Sequence, residues 1–254
     1  MFRLILIFIA IVNSVYAQKT KCADQFFVDK LGSVYTLKNN LLSKKDIISG
    51  KEYIFTNPSL GILTDVDVAN PNTLVLFYED SQFFVILNRD LNLYMDFIDI
   101  SRLDLRFRVN KMTATAQRTI WFTDYSNQSL RLFDIEQNAI ITEVPLFSIF
   151  GSKDEIVSLD ADLNNVYIEL QNGVYACLDG LGVFLKKVSI QPNVKWVDGM
   201  AYYVQDDILK SYDSNLLQET IKSQMPSGFC DFDISKRFWQ TINAKGEISK
   251  GVLN

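Results

Sequence analysis

The chain has 254 residues, with 30 acidic against 25 basic side chains and a formal charge of −5. That acidic balance, without a basic run, excludes a nucleic-acid binder, which must neutralise phosphates, and argues against docking on anionic lipid. There is no histidine, which excludes Ser-His-Asp and Cys-His catalysis and His-ligated zinc.

Residues 1–17 read as an export signal. Arg3 is a short basic region, Leu4 to Val12 is continuously apolar, and Val15-Tyr16-Ala17 suits a signal peptidase. The apolar run falls short of the ~20 residues that span a bilayer. Cys22 follows Gln18-Lys19-Thr20-Lys21, which is no lipobox. The expected product is exported, periplasmic or attached to the cell envelope, and not membrane-spanning. Residues 18–254 form one domain. Three scattered cysteines, Cys22, Cys177 and Cys230, make no disulfide framework. The core must come from packing, and 18 Phe, 11 Tyr and 3 Trp supply it.

From Phe26 the chain reads as short strands and tight turns. Phe26-Phe27-Val28 precedes Ser33 to Leu37, Asn39-Asn40 turns into Leu41-Leu42, and Lys51 to Phe55 is a fourth strand. Asn39 and Asn40 suit a hairpin because both tolerate positive φ. The second unit has Leu63 to Val68, Thr73 to Tyr78, Phe83 to Leu87 and an outer strand in Leu93 to Ile98. The third starts near Asn110 and holds the clearest hairpin, Thr119 to Asp134, before Ile140 to Val144. The fourth has Ile156 to Asp162, then Val166 to Leu170 and Val174 to Leu178 across Asn172-Gly173, then Val183 to Val188. The fifth runs Val194 to Asp198, Ala201 to Val204 and Ile208 to Tyr212. The sixth has Phe229 to Asp233, Arg237 to Thr241 and Glu247 to Lys250. The one helix candidate, Leu146 to Glu155, is interrupted by Gly151.

A four-strand unit recurring about every forty residues predicts radial repetition, an all-β six-bladed β-propeller with antiparallel blades. Asp29, Asp67, Thr115, Asp162, Asp198 and Asp233 align as the ends of the first strands. The sixth unit has three strands, so Gln18 to Ala23 is expected to supply its outer strand and close the ring. Cys22 and Cys230 would then lie three strand steps, ~14 Å, apart. A disulfide needs Cα atoms within ~7 Å, so no Cys22–Cys230 bridge is expected.

Trp121-Phe122-Thr123-Asp124 with Leu132-Phe133-Asp134 resembles the YWTD and NHL classes of six-bladed, TolB-like propellers. Leu31-Gly32-Ser33-Val34-Tyr35 with Lys38-Asn39-Asn40, and Asp67-Val68-Ala69-Asn70-Pro71 running into Leu76-Phe77-Tyr78, look like a group of exported proteins from Bacteroidota. That resemblance spans residues 18–254. It implies fold and compartment, with no activity or site residues to carry over.

The sharpest candidate chemistry is Asp-x-Asp on three first strands: Asp65 and Asp67, Asp160 and Asp162, Asp231 and Asp233. Alternate residues of a strand share a face. In a propeller the first strands line the channel, where carboxylates can bind Ca²⁺ or act as a glycosidase pair. The bland alternative is that the second Asp of each pair caps a turn. Asp65, Asp160 and Asp231 are left as the channel and metal candidates. Six-bladed lactonases hold a divalent metal with a Glu, Asn and Asp set, and no dependable counterpart is found. Cys177 and Cys230 read as buried small hydrophobes. Asn127-Gln128-Ser129 is a glycosylation sequon.

Two readings follow. The first is a non-enzymatic, monomeric propeller that binds a protein or envelope component over one face of the disc, without a cofactor. The alternative is a carboxylate- or metal-dependent hydrolase, lactonase- or glycosidase-like, using the channel aspartates.

Overall fold

The computed structural model describes residues 25–253 except 104, 105, 107, 116, 117, 152–154 and 163. The expected export signal and Cys22 lie outside the described residues. Blade 1 is β1 (Gln25–Val28), β2 (Val34–Lys38), β3 (Leu41–Lys45) and β4 (Glu52–Phe55). Blade 2 is β5 (Asp65–Asp67), β6 (Leu74–Tyr78), β7 (Phe83–Leu87) and β8 (Ile98–Asp99). Blade 3 is β9 (Val109–Ala114), β10 (Thr119–Asp124), β11 (Ser129–Asp134) and β12 (Ala139–Pro145). A short helix, α1 (Leu146–Phe150), follows and ends on Gly151 at φ 69°. Blade 4 is β13 (Ile156–Ala161), β14 (Asn165–Leu170), β15 (Val174–Asp179) and β16 (Phe184–Ser189). Blade 5 is β17 (Lys195–Val197), β18 (Met200–Gln205), β19 (Ile208–Asp213) and β20 (Gln218–Gln224). Blade 6 is β21 (Phe229–Ile234), β22 (Phe238–Asn243) and β23 (Ile248–Val252).

Each blade is an antiparallel meander in sequence order, so the protein is an all-β six-bladed propeller. The Thr119–Asp134 hairpin pairs as its alternation requires, with Trp121 opposite Leu132 and Asp124 opposite Ser129. Strands β6 and β7 are apolar on both faces because both faces are buried. Gly173 closes the β14–β15 hairpin at φ +70°, where a Cβ would meet the Ile190 carbonyl oxygen at 2.0 Å. The outer strand of blade 2 is shorter than the sequence suggests. Leu91 takes φ 57° and the chain pairs only at Leu87–Leu93 before β8.

The apolar core is six clusters, one in each seam between blades. The seam of blades 1 and 2 buries Tyr35, Leu42, Leu76 and Val85, among others. The closing seam is the poorest among the described residues, with Phe26, Val28, Cys230 and Ile242. Here β1 packs directly against β21. Val28 N donates to Asp233 Oδ2 at 2.7 Å, and Gln240 Nε2 to the Gly32 carbonyl at 3.3 Å.

The same seam holds a covalent link. Cys230 is disulfide-bonded and Cys177 is free. The third cysteine, Cys22, lies outside the described residues, and with it the expectation of no Cys22–Cys230 bridge. That expectation placed the N-terminal segment on the outer edge of blade 6. β1 is the inner strand of blade 1, as expected, and packs beside β21. Blade 6 shows three strands among the described residues, and the fourth expected from residues 18–23 lies outside them.

Removing the bridge is expected to cost about 2–4 kcal/mol of stability. Thermal unfolding should show a lower Tm for Cys230→Ser and for the reduced wild type, and no effect of reductant on Cys230→Ser. A non-reducing peptide map that finds Cys230 as a free thiol overturns the assignment.

Candidate functional site

The inner strands β1, β5, β9, β13, β17 and β21 surround the axis of the ring. They enclose a cavity of about 320 Å³ that includes Asp65, Asp67, Asp160, Lys195 and Asp233 in its wall. The loops that join first to second strands edge its mouth through Lys30, Ala69, Asp198 and Lys236.

Three aspartates on alternate blades stand at corresponding places. Asp67 accepts from Ala114 N at 2.7 Å, Asp160 from Trp196 N at 3.1 Å and Asp233 from Val28 N at 2.7 Å. Each donor belongs to the inner strand of the next blade. The residues just before the donors are Thr113, Lys195 and Phe27. Blades 2, 4 and 6 are thus tied to blades 3, 5 and 1 by a carboxylate oxygen on a main-chain N–H. A hydrogen bond to a charged acceptor contributes about 1.5–3 kcal/mol.

The turn-cap reading of the second aspartates holds in part. Asp67 Oδ1 accepts from Ala69 N at 2.8 Å, and Asp162 Oδ1 from Asn164 N and Asn165 N at 2.9 and 3.0 Å. The other oxygens cross to the next blade, Asp162 Oδ2 reaching Gly199 N at 2.8 Å. The alignment of first-strand ends is also offset. Asp67 and Asp233 lie within their strands, paired with Val75 and Gln240. Asp29, Asp162 and Asp198 lie just beyond theirs.

Of the candidates Asp65, Asp160 and Asp231, the first two line the cavity and Asp231 does not. Asp231 acts on Lys195 and Asp233 through space. Its own bond is local, Phe232 N to Oδ1 at 2.8 Å. Asp65 likewise bonds only its neighbour, Val66 N at 2.9 Å. No group of three or more Cys, Asp or Glu side chains is gathered tightly enough to hold a metal ion among the described residues.

Sequence reasoning passed over Lys195. It is a lone charge in the apolar run Val194-Lys195-Trp196-Val197, and that interruption was the available signal. Trp196 stacks on Tyr167 at 3.9 Å and 5°, fixing β17 against blade 4. Burial works against the Lys195 ammonium. The carboxylates of Asp233, Asp231, Asp160 and Asp65 together outweigh it and hold its pKa above the ordinary lysine value.

The carboxylates show the reverse balance. They are enclosed by protein yet touched by channel solvent, hence half-buried. Burial, then the charge of Asp67, raises Asp65 to about 6 against the pull of Val66 N, Lys111 and Lys195. Burial raises Asp160 to about 7, with Asp67 and Asp233 adding to it and Trp196 N and Lys195 opposing. Burial also raises Asp67 and Asp233. The channel therefore carries more negative charge than it can comfortably hold.

Other sequence candidates are structural. Burial pushes the Cys177 thiol up to about 11, which makes it a poor nucleophile. Within the sequon, Ser129 is buried and Asn127 Nδ2 donates to Asp124 Oδ2 at 2.5 Å.

No family model matches the sequence, and no curated protein matches it. Solved structures share the fold. A streptogramin B lyase superposes with a TM-score of 0.57 at 13% identity, covering 92% of this chain and 84% of that one. Virginiamycin B lyase from Staphylococcus aureus gives 0.55 at 10% identity, covering 92% and 85%. At such identity the similarity is one of architecture.

The protonation balance sets a pH dependence. Asp65 and Asp160 bind protons more tightly folded than unfolded, where carboxyls titrate near 3.8. The stability from protonation is fully present below about 4 and is lost as pH rises through about 6 and 7. Tm should fall from pH 5 to pH 8. Asp65→Asn and Asp160→Asn should flatten that slope and stabilise at pH 8 by about 1 kcal/mol each, allowing for channel solvent. A wild type whose stability rises across this range contradicts the assignment.

Proposed function

We propose that the protein is an exported, non-enzymatic binding propeller. It docks a protein or envelope partner over the end of the disc where the channel opens, and a cationic group of the partner enters the channel. One observation carries this reading: the cavity wall holds six aspartates against three lysines, and burial raises two of those aspartates, Asp65 and Asp160, to about 6 and 7. A guest cation relieves repulsion the fold otherwise bears. The signal at residues 1–17 and the resemblance to TolB-like propellers and exported Bacteroidota proteins support the compartment.

A second reading rests on Asp160. A carboxylic acid poised near pH 7 is a competent proton donor, as a hydrolase working on the channel carboxylates requires.

Both meet in one experiment. Tagged protein is cross-linked in its native envelope, recovered and analysed by mass spectrometry. The binding reading expects a stoichiometric partner whose yield falls at least severalfold in Asp65→Asn and Asp160→Asn, and in high salt. Equal recovery by wild type and variants excludes the channel as the contact. Hydrolysis of a lactone or glycoside that disappears in Asp160→Asn selects the enzymatic reading.

A further inference from the structure

The opposite end of the disc carries a different surface. In a meander, the loops joining second to third strands, and those leaving fourth strands, lie away from the channel mouth described above. In blade 3 these are the β10–β11 turn and the start of α1. They frame a shallow depression of about 590 Å³ lined by Tyr125, Ser126, Asn127, Gln128, Pro145 and Phe147. Tyr125 and Phe147 are each 66% exposed.

The two rings edge one depression, and hydrogen bonds fix the main chain that carries them. Asp124, fully buried, accepts from Ser126 N at 3.1 Å and Asn127 N at 3.3 Å. Arg131 Nε reaches Asp124 Oδ2 at 3.2 Å, and Arg131 Nη2 reaches Glu143 of β12 at 2.9 Å. Tyr125 N donates to the Arg108 carbonyl at 2.9 Å, and Leu146 N to the Gln128 carbonyl at 3.0 Å. Both walls are therefore tied to the same sheet, and little order has to be gained on binding.

The lining chemistry is selective. None of the six side chains is charged, so an ionic ligand finds no counter-charge in the wall. A purely aliphatic ligand would leave Ser126 and Gln128 unmatched. A ring with an apolar C–H face and a rim of hydroxyls satisfies both kinds of group, stacking on the aromatics and hydrogen-bonding to the hydroxyl and amides.

We infer that this depression is a binding site for a neutral oligosaccharide, with Tyr125 and Phe147 as the stacking platform. The site is at the other end of the disc from the channel mouth and does not depend on how the channel is used. Sugar C–H groups lie over the rings, and Ser126 and Gln128 bind the hydroxyls at the rim.

The test is calorimetric titration of the whole mature protein with chitotetraose, cellotetraose and a tetragalacturonate, with saturation-transfer NMR on each sugar. A neutral tetrasaccharide should bind in the millimolar range or tighter, with transfer to its ring C–H protons. Tyr125→Ala and Phe147→Ala should each weaken it about tenfold, equivalent to 1.4 kcal/mol. Leu217→Ala, at an exposed apolar residue of blade 5, should leave it unchanged. Tyr125 and Phe147 are largely exposed, so Tm should hold in both variants. The inference is overturned if no neutral tetrasaccharide binds, if the charged one binds better, or if both alanine variants bind like wild type. Failure here leaves the channel reading standing, because Asp65→Asn and Asp160→Asn address only that end.

Discussion

The blades of a propeller touch only their two neighbours, so one seam must join the start of the chain to its end without help from connectivity. In this protein that seam has the thinnest apolar packing, four buried residues among those described. The contact between Asp233 Oδ2 and Val28 N spans 205 positions of sequence. Forming it therefore means ordering the whole ring. The disulfide of Cys230 sits in the same cluster. A covalent link acts chiefly by restricting the unfolded chain. Polar and covalent closure substitutes there for the apolar area the other seams have.

The same carboxylates that join blades also set the character of the channel. A carboxylate has two oxygens, and the fold engages them unequally. Asp67 accepts from Ala69 N, Ala114 N and the Thr113 hydroxyl, so both of its oxygens are used. Asp65, one pleat away on the same face, receives a single local bond. Burial raises the pKa of both, and Lys195 supplies only one buried positive charge against several negative ones. Ring closure by carboxylates thus leaves an electrostatic residue in the centre of the disc. The protein meets it by holding protons.

Much of the architecture was legible because strand alternation and turn chemistry are local. Trp121 to Asp124 and Leu130 to Asp134 announce a hairpin by their pattern, and the pairing follows. Asn39 and Asn40 announce a turn, and both take positive φ, 48° and 69°. What was not legible depends on contacts between blades. Asp67 and Asp162 look equivalent in sequence because each is the second Asp of a pair. Their register differs by one pleat, and register is set by pairing with the second strand rather than by the motif. Lys195 was hidden for a related reason. One charge in an apolar strand has meaning only when four aspartates of other inner strands are placed around it.

The two ends of the disc follow from one topological rule with different side chains attached. First-to-second strand loops sit next to the axis, at the ends of the inner strands. They are built from aspartates that fold back on their own main chain, such as Asp29 onto Leu31 N and Ser33 N. The second-to-third strand loops and the exits of fourth strands lie farther from the axis, with room for large side chains. In blade 3 the buried acid Asp124 is turned inward to Arg131 and the turn amides. The outward positions are left to Tyr125 and, across the groove, Phe147. The ring thus lines its channel with carboxylates and displays two exposed aromatics at the opposite end.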